Sequence, residues 1–335
     1  MLQRGGFGQG TGLRKAILVN EHFVVYGVPA IAVPLGLPVR VSMRLFPGRG
    51  IEIHIFSGNQ GPCARSEDPD LHEAVRRILA CCDVSSESLA VRLECWGFLP
   101  GWSGLGSSAA FCVASARACA QACGVSLDDE RINAIAYEAE KVFAGNPSGI
   151  DNTVATFGRV VWFTRGSTRP LSFLEPHGPI WLVVVNSGRP SRTRDQVQKV
   201  ARFRESHPAR FEGLCREAEA LAHQVRQILA CSEPTELGPL LNRSHETLRE
   251  IGASDPDLDR LVSLCRTKGA AGAKLTGAGG GGCVIALARD QREARLLAAE
   301  IEREGYGSFA ASVTGEGSFS PAPSATPNDR PHNLS

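Results

Sequence analysis

Pro100-Gly101-Trp102-Ser103-Gly104-Leu105-Gly106-Ser107-Ser108-Ala109-Ala110 is the stretch that decides how this 335-residue chain is read. Gly101 and Gly106 have the spacing of a Walker-type phosphate loop, but Ser107 stands where that loop has lysine. A small-residue run with helical composition follows, over residues 107–123, and Gly124 is placed to stop it. Unpaired N–H groups at such a helix start, and the positive end of its dipole, favour an anion. The glycines before it let a backbone approach that anion closely. The competing reading is a glycine turn capped by serine, and this stretch alone does not choose between them. A phosphate site here needs its positive charge from elsewhere in the chain.

Few residues can supply it. The basic residues are nearly all Arg, and the lysines are Lys15, Lys141, Lys199, Lys268 and Lys274. The formal net charge is +1, which offers no field for nucleic acid or an anionic membrane. Hydrophobic residues make up 43% and charged residues 21%, normal for a globular protein large enough for two domains. Eleven cysteines are scattered, without a Cys-x-x-Cys pair or a Cys/His cluster at zinc spacing. Cys119 and Cys123 are one helical turn apart without a second ligand pair. They read as small buried hydrophobes in a reducing cytosol. With no apolar signal core and no run long enough to span a bilayer, the expected location is cytoplasmic.

Along the chain, residues 1–12 are glycine-rich and expected to be loose. Strands are expected at 15–19, 39–46, 51–56, 89–94, 154–164, 180–186 and 283–288. Helices are expected at 71–82, 107–123 and 128–144, the last capped by Asp128 or Ser126, with two or three more over 194–249 and another over 256–268. His54 falls in a strand and carries no function. Residues 316–335 are rich in Pro, Ser, Asn and Asp, and a disordered tail is expected. Alternating strands and helices indicate an α/β or α+β protein.

Three further segments bear chemistry. Gly145-Asn146-Pro147-Ser148-Gly149-Ile150-Asp151-Asn152 follows the run that holds Glu138, Glu140 and Lys141. Its glycines and proline force a defined loop that presents Asp151, a carboxylate able to accept a proton from a hydroxyl, although an Asx turn would look the same. Lys274-Leu275-Thr276-Gly277-Ala278-Gly279-Gly280-Gly281-Gly282 contains a Gly-x-Gly-x-x-Gly match. A dinucleotide fingerprint opens a helix, whereas this one runs into a strand, so a loop closing over phosphates fits better. Lys15-Ala16-Ile17-Leu18-Val19-Asn20-Glu21-His22 places a lysine, a carboxylate and an imidazole around one short strand.

In this order the four segments resemble the GHMP kinase superfamily, and within it the mevalonate kinase family. The matches are residues 15–18 with Glu21-His22 and Tyr26-Gly27, then 104–110, 145–152 and 274–282, with Asn242, His245 and Pro256 in support. The resemblance covers about residues 12–288. It implies an α+β, mixed α/β, two-domain fold: an N-terminal α/β domain over 13–175 and a ferredoxin-like C-terminal domain over 176–315. The active site would lie in the cleft between them. It implies transfer of the γ-phosphoryl group of ATP to mevalonate, with Mg²⁺. Carried over residue by residue, Asp151 is the catalytic aspartate and Lys15 the lysine beside the attacking oxygen, which supplies the charge missing from the glycine loop. Ser108 and Glu140 are the Mg²⁺ ligands. Gly104, Leu105, Gly106, Ser107, Ser108 and Ala109 cradle the ATP phosphates, and Thr276, Gly277, Ala278 and Gly279 lie near the γ-phosphate. His22 and Arg165, with Lys15, face mevalonate. Feedback inhibition by prenyl diphosphates and a homodimer also belong to the resemblance and are not fixed by these residues.

The chain departs from the family pattern at four places. Arg14, Asn20 and Trp102 stand where glycines are usual, and Arg159 replaces a second glycine after Gly158. None removes a proposed catalytic group, and Asn20 suits a left-handed backbone. Other acceptors (a sugar, homoserine or phosphomevalonate) would use the same glycine motifs. A catalytically silent ligand-binding relative would lack the lysine, the aspartate or a metal ligand, and all are present.

Overall fold

The computed structural model describes residues 5–56, 63–82, 84, 89–98, 103–145, 147–166 and 171–313. The chain opens with β1 (Gly6–Val19), a 3-10 turn at Phe23–Tyr26, β2 (Ala30–Pro47), β3 (Gly50–Phe56), β4 (Cys63–Arg65), α1 (Pro69–Cys81) and β5 (Leu89–Trp96). Next come α2 (Ser107–Ala122), α3 (Asp129–Ala144), α4 (Ile150–Phe157), β6 (Val160–Phe163) and β7 (Leu171–Leu174). These strands form one seven-stranded sheet in the order β4-β3-β5-β2-β6-β7, with β1 paired to β2 off that path. The 18-residue β2 is its spine, antiparallel to β1, β5 and β6 along different parts of its length.

The second half contains β8 (Ile180–Asn186), α5 (Thr193–Ser206), α6 (Pro208–Cys231), α7 (Leu237–Glu250) and α8 (Pro256–Thr267). It ends with β9 (Gly272–Thr276), β10 (Cys283–Ala288), α9 (Gln291–Arg303) and β11 (Gly307–Val313). Its four-stranded antiparallel sheet runs β11-β8-β10-β9, the βαββαβ order of a ferredoxin-like unit. One apolar cluster packs the first sheet against α1, α2 and α3, and another packs the second sheet against its helices. A third joins Ala16, Leu18, Ile31 and Leu105 to Leu182, Leu221 and Ile285, where the two halves meet. Among the described residues no helix is long and apolar enough to cross a membrane. Every cysteine whose side chain is described is a free thiol, Cys119 and Cys123 included.

Two expectations are corrected. Residues 6–12, read as loose, form the first half of β1. Gly6, Gly8, Gly10 and Gly12 all lie against α2, where an added Cβ would sit 2.1, 2.1, 2.1 and 2.2 Å from the carbonyl oxygens of Ala122, Ala118, Ala114 and Ala110. Two strand residues advance ~6.8 Å and four helix residues ~6.0 Å, so glycine every second residue meets alanine every fourth. The glycines are therefore a contact surface for the helix. The second correction concerns residues 154–164, expected as one strand. Val154–Phe157 instead completes α4, and only Val160–Phe163 is strand. Ile150 and Val154 are buried one turn apart, and Gly158, with φ +63°, ends the helix. The hydroxyls of Thr153 and Thr156 bond back to the carbonyls of Gly149 (2.7 Å) and Asn152 (2.8 Å), which lets these β-branched residues sit in a helix. Asp128 does cap α3, its Oδ1 accepting from the Arg131 amide at 2.8 Å. The tail at 316–335 lies outside the described residues.

Candidate active site

The glycine stretch becomes a turn running into α2. Gly106 takes φ +65°, and the first helical bond runs from the Ala110 amide to its carbonyl at 3.0 Å. The amides of Ser107, Ser108 and Ala109 thus precede the helical ladder and face outward from its start. The Ser107 hydroxyl is buried without a partner, as a ligand oxygen would require. A Cβ on Gly106 would lie 3.0 Å from Lys15 Cγ and 3.5 Å from Asp151 Oδ2. Only glycine leaves both side chains room beside the helix start.

Lys15 reaches this point from β1. It sits opposite Pro34 in the register, and the Lys15 amide donates to the Leu105 carbonyl at 3.0 Å. Its ammonium lies 3.3 Å from Asp151 Oδ2 and donates to the Gly104 carbonyl at 3.2 Å. Asp151 occupies the first turn of α4, whose start is set by Gly149 in the left-handed region. Asn152 ties that turn to α3 through a 2.6 Å bond to Asn133 Oδ1.

Ser108 donates to Glu140 Oε1 at 2.8 Å, and the other carboxylate oxygen of Glu140 is buried without a partner. Burial, then the nearby charge of Asp151, push the Glu140 carboxyl up to about 8. A buried carboxylate beside a hydroxyl and a second carboxylate, with the Cys112 thiol and the Lys15 charge also near it, is a donor set that suits a hard divalent cation.

The second glycine loop closes the other side. Gly277 and Gly104 touch backbone to backbone, since a Cβ on Gly277 would lie 2.6 Å from Gly104 Cα. Thr276 accepts from the Ile17 amide at 3.0 Å and donates to the Ile17 carbonyl at 3.3 Å. Its hydroxyl is occupied, and it anchors Gly277, Ala278 and Gly279 in place. His22 is likewise engaged: its Nε2–H donates to the Ala278 carbonyl at 2.8 Å, and burial lowers its pKa. Its neutral ring leaves Nδ1 as an acceptor. Arg165 is half-buried in the turn after β6.

The departures have structural answers. Asn20 has φ +75°, as expected for a glycine substitute, and its amide donates to the carbonyls of Pro29 (2.6 Å) and Ala218 (2.9 Å). Arg14 is buried beneath the sheet, bonded to the Gly97 carbonyl, and burial lowers its pKa to about 10. Arg159 pairs with Glu175 and stacks 4.2 Å over Phe173. Trp102 and Asn146 lie outside the described residues.

Sequence reasoning missed a buried pair beside this site. Lys274, in β9, bonds Glu21 just after β1. Both residues were quoted in motifs, but 253 positions separate them, and only the fold brings them together.

Residues 71–159 match the family described as GHMP kinases N terminal domain, and residues 218–308 the one described as GHMP kinases C terminal. The mevalonate kinase of Aeropyrum pernix is 34% identical over 312 residues, covering 90% of this chain and 95% of that protein. The chain belongs to the mevalonate kinase family of GHMP kinases. The mevalonate kinase of Pyrococcus horikoshii is 33% identical, covering 86% of this chain and 90% of the relative. The crystal structure of L. major mevalonate kinase in complex with R-mevalonate superposes with a TM-score of 0.84 at 29% identity, covering 92% of this chain and 96% of that one.

Another family-motif residue, His245, holds β9 in position. The outward amides of Ala273 and Leu275 in this edge strand are taken by α7: Ala273 N–H donates to Asn242 Oδ1 at 3.0 Å and Leu275 N–H to His245 Nδ1 at 3.4 Å. His245 Nε2–H donates to Asp259 at 3.2 Å. Burial, more than any neighbouring charge, depresses the His245 pKa to about 4 from 6.5. Between those values the unfolded chain carries a proton that the folded protein refuses, so stability falls as pH drops through that window. Urea unfolding from pH 7 to pH 4 should show this slope, and His245→Gln should flatten it; an unchanged slope would contradict the assignment.

Proposed function

We propose that the chain transfers the γ-phosphoryl group of ATP to the primary hydroxyl of mevalonate, giving 5-phosphomevalonate and ADP. The observation that carries this reading is the meeting of Lys15 and Asp151 across Gly106, at the open start of α2. Phosphoryl transfer needs in-line positioning and charge neutralisation more than covalent assistance. Asp151 accepts the hydrogen bond of the acceptor hydroxyl and orients it. Lys15 holds that carboxylate and brings the positive charge that a Walker loop takes from its own lysine. The amides of Ser107, Ser108 and Ala109, with the Ser107 hydroxyl, bind phosphate oxygens from one side, and residues 277–279 enclose them from the other. Ser108 and Glu140 would hold the Mg²⁺ of the nucleotide, which neutralises phosphate charge when bound. His22, through Nδ1, and Arg165 are the groups assigned to the acceptor.

The test is ADP release with Mg-ATP and a panel of mevalonate, phosphomevalonate, homoserine and galactose. Turnover is expected with mevalonate, and none with mevalonate alongside turnover of another acceptor would reassign the substrate. A prenyl diphosphate added to the same assay should compete with ATP, because it offers the same diphosphate to the same cradle.

A further inference from the structure

We infer that Glu21 and Lys274 are a positioning pair, which sets the distance between the catalytic Lys15 on one domain and the glycine loop at 277–279 on the other. The inference rests on reading the chain as a small-molecule kinase and adds two residues to its machinery. Among the described residues neither is hydrogen-bonded to the Lys15 or Asp151 side chain, although both feel the Lys15 charge.

The pair sits where the two sheets meet. Its side chains are 0% and 2% exposed. The Lys274 ammonium has three donors, and three acceptors surround it: Glu21 Oε1, the Leu275 carbonyl at 2.6 Å and the Ile17 carbonyl at 3.4 Å. Ile17 belongs to β1 and lies two residues beyond Lys15. The same Ile17 is bonded through both its amide and its carbonyl to Thr276, and His22 is bonded to Ala278. Segment 17–22 is thus fastened to segment 274–278 at each end and in the middle. The second oxygen of Glu21 is buried without a partner, so its carboxylate is held by Lys274 alone among the side chains described.

Stability does not account for such a pair. Removing two charges from water is expensive, and a well-packed apolar pair often holds an interface as firmly. Burial pushes the Glu21 carboxyl up and the Lys274 ammonium down, and each partner opposes that shift in the other. What the ion pair adds is direction. Two of the bonds from this ammonium, to Glu21 and to the Ile17 carbonyl, cross from β9 to β1 and the residues after it and fix their register, where apolar contacts would allow sliding. A slide there shifts Lys15 relative to Gly277, and misplacement of about 1 Å costs about 100-fold in rate.

The test separates positioning from stability with Glu21→Gln, Lys274→Met and the double variant, measured for thermal midpoint and for kcat and KM below the melting range. Lys274→Met should lose both stability and kcat, because it leaves a buried carboxylate alone. The double variant should regain much of the midpoint while kcat stays about 100-fold down, with little change in either KM. A folded double variant with kcat within about twofold of wild type would overturn the inference. Should the double variant not fold, Glu21→Gln decides by the same kcat criterion. Wild-type protein that turned over no acceptor would refute the kinase reading and the pair's role with it. That outcome is distinct from an active wild type matched by an active double variant.

Discussion

Replacing Lys15 with Met, or Asp151 with Asn, is expected to lower kcat by about two orders of magnitude or more while the protein stays folded. Met retains the apolar stem that lies along Gly106, and Asn retains the shape of the carboxylate. Lys15→Met leaves no buried charge alone, because the Asp151 side chain is 33% exposed and water can serve it, whereas Asp151→Asn leaves the buried Lys15 ammonium on the Gly104 carbonyl and the new amide oxygen. What is lost is the charge and the hydrogen-bond acceptor at the reacting hydroxyl. Asp151 also bears on Glu140, whose carboxyl is raised partly by its charge. Asp151→Asn should therefore bring the Glu140 carboxyl back toward its ordinary range. Single-turnover phosphorylation of mevalonate, with far-UV circular dichroism and a thermal melt as fold controls, would measure the effect. Near-normal turnover in a folded variant would remove that residue from the mechanism.

The chemistry-bearing segments were legible because each is local: glycines, a loop proline and one or two functional side chains within eight or nine residues. The helix at Ser107–Ala122, the Asp128 cap and the strands Ile180–Asn186 and Cys283–Ala288 were legible for the same reason. What could not be read is long-range. Nothing near Thr276 says that its hydroxyl is taken by Ile17, 259 residues away, or that His22 Nε2 is taken by Ala278. Both residues were assigned to ligands, and both partly serve to join the domains. Composition also misled where one residue type has two uses. Glycine in residues 6–12 read as flexibility, yet its alternation has period two, the repeat of a strand whose one face must be bare. The apolar residues at 154–157 fit a helix face and a strand equally, and Gly149 and Gly158 at the two ends were the signal that decides.

That glycine face gives the second large expectation. Gly10→Ala should destabilise the protein by about 3 kcal/mol or more, at or beyond the upper end for overpacked sites. The added methyl would meet the Ala114 carbonyl oxygen at 2.1 Å and the Ala118 amide nitrogen at 2.7 Å. Both are helix backbone, so no rotamer change relieves the contact, and strand and helix must separate. Gly8→Ala meets the same obstacle one step along, against the Ala118 carbonyl at 2.1 Å. The two changes should combine less than additively, since the gap opened for one methyl partly admits the other. Gln9→Ala is the control. Its side chain is exposed between the two glycines, and its change should stay within about 0.5 kcal/mol. Guanidinium unfolding midpoints with a common m-value would rank the three variants. Because α2 begins at the proposed phosphate cradle, any Gly10→Ala protein that still folds should also bind ATP more weakly, its Ser107 and Ser108 amides carried off with the helix. A Gly10→Ala midpoint equal to wild type would mean that β1 does not pack on α2 as described, and the link from a glycine repeat at the chain start to the cradle would fail with it.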